Sequence, residues 1–151
     1  SPPPPSASPS PPPPSPPPAG IVTTLAGSDT SGSADGTGTA ASFKGPLGVA
    51  VSPDGGTVYV ADNSNFRIRK IDTSGGAATT LAGSTSGSAD GTGTAASFKA
   101  PYGVAVSPDG MTVYVADLSN HRIRKIDTSG GATTTLAGSD TYGMADGTGT
   151  A

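Results

Sequence analysis

His121 is the only histidine, and cysteine, glutamate, glutamine and tryptophan are absent. Acid–base or metal chemistry would have to come from that imidazole and from 11 acidic residues, all of them Asp. A zinc-type centre draws three or four ligands from His, Cys and carboxylates, and one His without Cys does not build one. A Ser–His–Asp triad needs a base placed against an activated Ser, and no G-x-S-x-G elbow surrounds His121. Phe66 stands where His121 stands one repeat later, so the position does not depend on an imidazole. His121 is read as a turn or strand-edge residue.

The Asp residues recur in two settings. Asp35, Asp90 and Asp146 sit in ADGTGTA; Asp62 and Asp117 close VAD. Calcium takes six to eight clustered oxygens, and each of these loops offers about one carboxylate. Local turn bonding to backbone amides is the expected role. Asp62 and Asp117 are placed to tie their turns to Asn65 and Arg67, and to Asn120 and Arg122. The GTG of each lead-in opens no helix, so phosphate binding is not expected. No metal site and no cofactor is expected.

The eight Lys and Arg residues fall four to a repeat: Lys44, Arg67, Arg69 and Lys70, then Lys99, Arg122, Arg124 and Lys125. They read as solvent-facing stripes on outer strands, of the kind that blunts an exposed edge. With a net charge of −3, electrostatic binding to nucleic acid is not expected. No run of about 20 apolar residues is present to span a membrane.

These residues need elements to hold them, and the chain divides in two. Residues 1–19 hold 12 Pro, 5 Ser and 2 Ala and no charge. Proline fixes φ near −65° and pushes the preceding residue out of the α region. The segment is therefore expected to be a polyproline II rod, rising about 3.1 Å per residue. Residues 20–151 form the second unit. Leu25, Leu81 and Leu136 head the same TLAG segment, 56 and then 55 residues apart. A period of that size means a propeller, a solenoid or an array.

Within one period the sequence predicts four short strands over residues 47–51, 57–61, 66–71 and 78–82. Val, Tyr, Ile and Thr favour strands, while Pro53-Asp54-Gly55, Asp62–Asn65 and Ser74-Gly75-Gly76 make turns. Four strands joined by tight turns make an antiparallel meander. The first two are apolar on both alternations, so both faces must be covered. Apolar inner strands and a charged third strand fit a propeller blade, with the inner strands wedged between neighbours. Residues 21–26 are predicted as an outer strand preceding the first blade.

The segment GVAVSPDGGTVYVADNSNFRIRKID and its second copy GVAVSPDGMTVYVADLSNHRIRKID resemble the NHL repeat, as does the ADGTGTAASFKxPxGVAV lead-in. The resemblance implies an all-β fold of propeller blades, generally six to a ring. Two complete blades with partial flanks are present, so further repeats of the same chain or other copies of it are the expected partners. Metal-dependent lyases related to this family gather histidines from several blades, which a lone His121 does not supply; no enzymatic activity is expected.

SPPPPS occurs at residues 1–6 and again at 10–15. It resembles the repeat of extensins and other hydroxyproline-rich glycoproteins of plant and green-algal walls. The resemblance implies hydroxylation or O-glycosylation at Pro2, Pro3, Pro4, Pro5, Pro9, Pro11, Pro12, Pro13, Pro14, Pro16, Pro17 and Pro18, and at Ser1, Ser6, Ser10 and Ser15. Attached O-glycans are then partners as well. The leading expectation is a secreted, non-catalytic structural glycoprotein of a wall, matrix or fibre. The alternative is a ligand- or protein-binding sensor propeller of a larger receptor or scaffold. A propeller-type lyase stands third.

Overall fold

A computed structural model describes residues 20–143 and 146–149. The expected polyproline II rod, and with it every hydroxylation or glycosylation candidate from Ser1 to Pro18, lies outside the described residues. The rest is all-β, and no helix is long and apolar enough to cross a membrane among the described residues.

Two five-stranded antiparallel sheets follow one another. The first contains β1 (Gly36–Thr37), β2 (Pro46–Val51), β3 (Thr57–Asp62), β4 (Arg67–Asp72) and β5 (Ala77–Ala82), in the spatial order β1-β5-β4-β3-β2. The second repeats the order with β6 (Gly91–Thr92), β7 (Pro101–Val106), β8 (Thr112–Asp117), β9 (Arg122–Asp127) and β10 (Ala132–Gly138). Strands β2 to β5 form the expected meander, starting and ending within a residue of the sequence-based bounds. The turns close as their residues dictate. In Ser52–Gly56 the Ser52 carbonyl accepts from the Gly55 amide at 2.8 Å, and Gly55 supplies the positive φ of 75° that a glycine adopts at no steric cost.

β1 and β6 are additions. Each lead-in crosses the outer edge of its blade before it turns inward: Gly36 pairs with Ala78, and Thr92 with Ala132. A Gly-Thr pair has little strand propensity of its own; pairing with the fourth strand makes it a strand. Residues 21–26, in contrast, are not a strand. They correspond to β5, whose partner is the preceding strand of its own blade, and no such strand precedes them among the described residues.

Antiparallel register sorts the side chains onto two faces, because directly paired residues point the same way. Val49 pairs with Val60, which pairs with Arg69; Val51 pairs with Val58, which pairs with Ile71. This is the valine face. Tyr59, Ala61 and Ile68, with Leu81 and Ala82, form the tyrosine face. The main core is the tyrosine face of blade one packed on the valine face of blade two: Val104, Val106, Val113, Val115 and Ile126, with Phe98 from the lead-in between them. The innermost strands β2 and β7 lie together there. A smaller cluster of Val60, Ile71 and Ala78 on blade one's own valine face is capped by Ala41, Phe43 and Ala26.

Candidate functional site

The polar residues at fixed repeat positions assemble into one buried constellation per blade. Asp62 ends β3 and Arg69 lies in β4, and both are fully buried. Arg69 Nη1 donates to Asp62 Oδ2 at 2.9 Å and to the Ser42 carbonyl at 3.0 Å. Its Nη2 donates to Asp35 Oδ1 at 2.8 Å and to the Ala34 carbonyl at 2.9 Å. The guanidinium lies 4.9 Å from the Phe43 ring centroid, a cation–π distance. The second oxygen of Asp62 accepts from the Lys44 amide at 2.8 Å, and Asn65 Nδ2 bridges Asp62 Oδ2 and the Gly32 carbonyl. Asp35 also accepts from the Thr80 amide and hydroxyl.

Blade two repeats the set. Arg124 donates to Asp117 at 2.9 Å, to Asp90 at 2.7 Å, and to the Ser97 and Ala89 carbonyls. Phe98 takes the place of Phe43, 5.2 Å away. Burial disfavours the ionised form of Asp90, but the Thr135 amide and the Arg124 guanidinium outweigh it and hold the carboxyl below its ordinary value.

Three sequence-based readings are corrected here. Arg69 and Arg124 do not face solvent. Register puts them on the valine face, so period-two alternation carries them inward, and two carboxylates with two carbonyls replace their water. Asp35 and Asp90 do not serve local turns; they reach across to the arginine 34 residues ahead. Asp62 and Asp117 do bind Asn65 and Asn120, but their cationic partners are Arg69 and Arg124. Arg67 and Arg122 donate instead to the Ser33 and Ser88 carbonyls. The fixed spacing of an Asp, an Asp and an Arg in both copies is the signal that could have pointed to this network.

An arginine does not lose its proton in proteins, and the bonds of Asp62 and Asp117 run to backbone and to fixed side chains. The constellation ties the lead-in to β3 and β4. It is a clamp. His121 lies apart from it, exposed, with φ 55° like Phe66 at φ 57°. Its ring meets Tyr142 edge-on at 5.6 Å. Asp146 is exposed in the third lead-in. Among the described residues no three His, Cys, Asp or Glu side chains gather as metal ligands.

The exposed turn aspartates titrate in a defined direction. The Ser52 hydroxyl and the Gly56 amide hold Asp54 below its ordinary value, and Ser107 and the Met111 amide do the same for Asp109. Ser74 and Ser129 act likewise on Asp72 and Asp127. A carboxyl depressed in the folded state contributes stability above its unfolded value of about 3.9, and that contribution is lost as pH falls through the folded value. The melting temperature is therefore expected to be flat between about pH 5 and 7 and to drop below about pH 4. Thermal scans across pH check it; a loss centred above pH 5 would refute these assignments. Ser52→Ala with Ser107→Ala should reduce the acid drop.

Residues 43–71 match the NHL repeat. The chain is 34% identical over 115 residues to Protein SUPPRESSOR OF QUENCHING 1, chloroplastic, of Arabidopsis thaliana, covering 70% of this chain and 11% of that protein. It is 36% identical over 98 residues to NHL repeat-containing protein 2 of Homo sapiens, covering 64% of this chain and 14% of that protein. The chain thus spans a small fraction of these curated relatives. Among solved structures it resembles a Bacteroides thetaiotaomicron protein of unknown function (TM-score 0.56, 25% identity, 76% of this chain and 26% of that one). It also resembles an auxiliary nutrient binding protein of the same organism (TM-score 0.53, 25% identity, 60% and 25%).

These likenesses overturn the expectation of an extracellular structural glycoprotein and of an extracellular location. The relatives are a chloroplastic protein, NHL repeat-containing proteins and bacterial proteins of propeller type. The extracellular expectation rested on the proline-rich segment, whereas the likeness to a propeller domain is carried by the blades. The chain carries an NHL repeat over residues 43–71, and its fold is β-propeller-like.

Proposed function

We propose that this chain supplies two blades to the propeller domain of a larger protein, and that the domain acts as a non-catalytic interaction module. The observation that carries this reading is the pair of uncovered apolar faces at opposite ends of the two-blade unit. Val49 and Val51 are exposed on one end, Tyr114, Ile123 and Leu136 on the other. A repeat of this kind buries its faces only against a neighbour. The non-catalytic part is supported by the use made of the polar residues: the arginines and their aspartates hold loops to strands within each blade.

Adding a third blade tests the reading. A chain in which residues 84–138 are repeated after Gly138 places a blade against Tyr114, Ile123 and Leu136. Its melting temperature should exceed that of the present chain by roughly 5 °C or more, the equivalent of about 1 kcal/mol in a domain of this size. An unchanged midpoint would sink the proposal.

A further inference from the structure

The segment that follows the fourth strand occurs three times, and one position in it changes charge. The copies read Gly27-Ser28-Asp29, Gly83-Ser84-Thr85 and Gly138-Ser139-Asp140. The last two are held alike against the head of the third strand. Gly83 has φ 90° and Gly138 φ 92°. A Cβ on Gly83 would stand 3.1 Å from the Arg67 Cα, and one on Gly138 3.0 Å from the Arg122 Cα. Counted from that glycine, Thr85 stands against blade one where Asp140 stands against blade two.

Asp140 has a partner there. Its Oδ2 lies 3.1 Å from Arg122 Nη2, while Arg122 Nη1 donates to the Ser88 carbonyl. Arg67 is placed in the same way, with Nη1 donating to the Ser33 carbonyl at 2.9 Å. No carboxylate lies within ion-pair distance of it among the described residues, and its Nε is buried without a hydrogen-bond partner. Where the carboxylate is missing, the chain offers a hydroxyl. The Ser84 hydroxyl is committed to the Thr94 carbonyl at 2.8 Å; Thr85 is exposed.

We infer that Thr85 is a phosphorylation site and that Arg67 holds the phosphoryl group. The donor is a nucleoside triphosphate. Thr85 Oγ1 attacks the terminal phosphorus, the new O–P bond forms as the bond to the nucleoside diphosphate breaks, and the hydroxyl proton passes to a base of the transferring enzyme. Phosphothreonine carries a charge of about −1.5 to −2 at pH 7 and three strong acceptor oxygens. Those oxygens lie one bond farther from the backbone than the oxygens of Asp. Asp140 meets Arg122 at Nη2 alone, and Arg122 Nε stays without a partner. With three oxygens, a phosphoryl group has acceptors for both Nη2 and Nε of Arg67. The modification fastens the start of the second lead-in to the head of β4, as Asp140 does one repeat later. The site lies within residues 67–85 and uses neither end face of the two-blade unit.

Phosphorus NMR on the full chain carrying phosphothreonine at position 85 provides the test. The second phosphate pKa is ordinarily about 6. An adjacent guanidinium favours the dianion, so this pKa should lie below that of a phosphothreonine peptide of residues 81–90 by roughly half a pH unit or more. In Arg67→Gln it should return to the peptide value, with circular dichroism verifying the fold. A second measurement needs no phosphate. Thr85→Asp should melt roughly 1–3 °C above Thr85→Asn at low salt, the scale of an exposed ion pair. That gain should vanish in Arg67→Gln and at high ionic strength. Peptide mass mapping of the protein isolated from its source organism should find phosphate on Thr85. A phosphate pKa indifferent to Arg67→Gln, an Asp that gains nothing over Asn, or a native Thr85 without phosphate would each overturn the inference.

Discussion

Arg124→Met should cost about 3–5 kcal/mol, the range for breaking a buried ion pair by removing one partner. The loss is large because it leaves Asp117 fully buried and charged with only the Lys99 amide and Asn120 to bind it. It also strips donors from the Ala89 and Ser97 carbonyls and from Asp90. In a domain of this size that corresponds to a fall in melting temperature of roughly 10–20 °C. Chemical denaturation followed by tyrosine fluorescence measures it. Asp117→Asn added to Arg124→Met should restore part of the loss, since groups in one network do not contribute additively. A single-variant loss under about 1 kcal/mol would place the pair among exposed ion pairs, which are worth little.

Two glycines at the same position of the repeat should respond in opposite ways. Gly48→Val drives a branched side chain into the Tyr102 carbonyl and β7 backbone. Backbone does not yield as a side-chain end does, so the blades must separate. The expected cost is about 3 kcal/mol, the upper part of the range for overpacking, with Ile68 and Phe98 losing their cover. Gly103→Val meets open space beyond Ala116. In dilute solution it should change stability by less than about 1 kcal/mol, a surface substitution in effect. Equal losses in the two variants would mean that β2 and β7 do not pack as described.

The strands were legible because their signals are local. Val58 and Val60 alternate with Tyr59 and Ala61, and Pro53-Asp54-Gly55 ends one run and starts the next. The clamp was not. Arg69 sits among Arg67, Lys70 and Asp72, and by composition that strand looks wet. Its inward direction follows from pairing with Val60, and pairing is a property of the sheet. Asp35 was assigned to its own turn because the partner that uses it comes 34 residues later. β1 was invisible for a related reason: Gly36 and Thr37 carry no strand signal until Ala77 and Ala78 arrive beside them. Residues 21–26 failed in the other direction, with good strand composition and no strand to pair with among the described residues.

The clamp of blade one draws on Gly32, Ala34, Asp35, Ser42, Lys44, Asp62, Asn65, Arg69 and Thr80. All lie within one repeat period of the gene. A duplication or deletion of a single period therefore copies or removes every buried charge together with its counter-charges, and orphans none. What passes between neighbouring blades is chiefly valine, isoleucine, leucine and tyrosine, which accept any other unit of the same make. Unequal exchange between repeats can lengthen or shorten such a chain without a compensating mutation, and blade number can drift in a lineage while each blade stays intact.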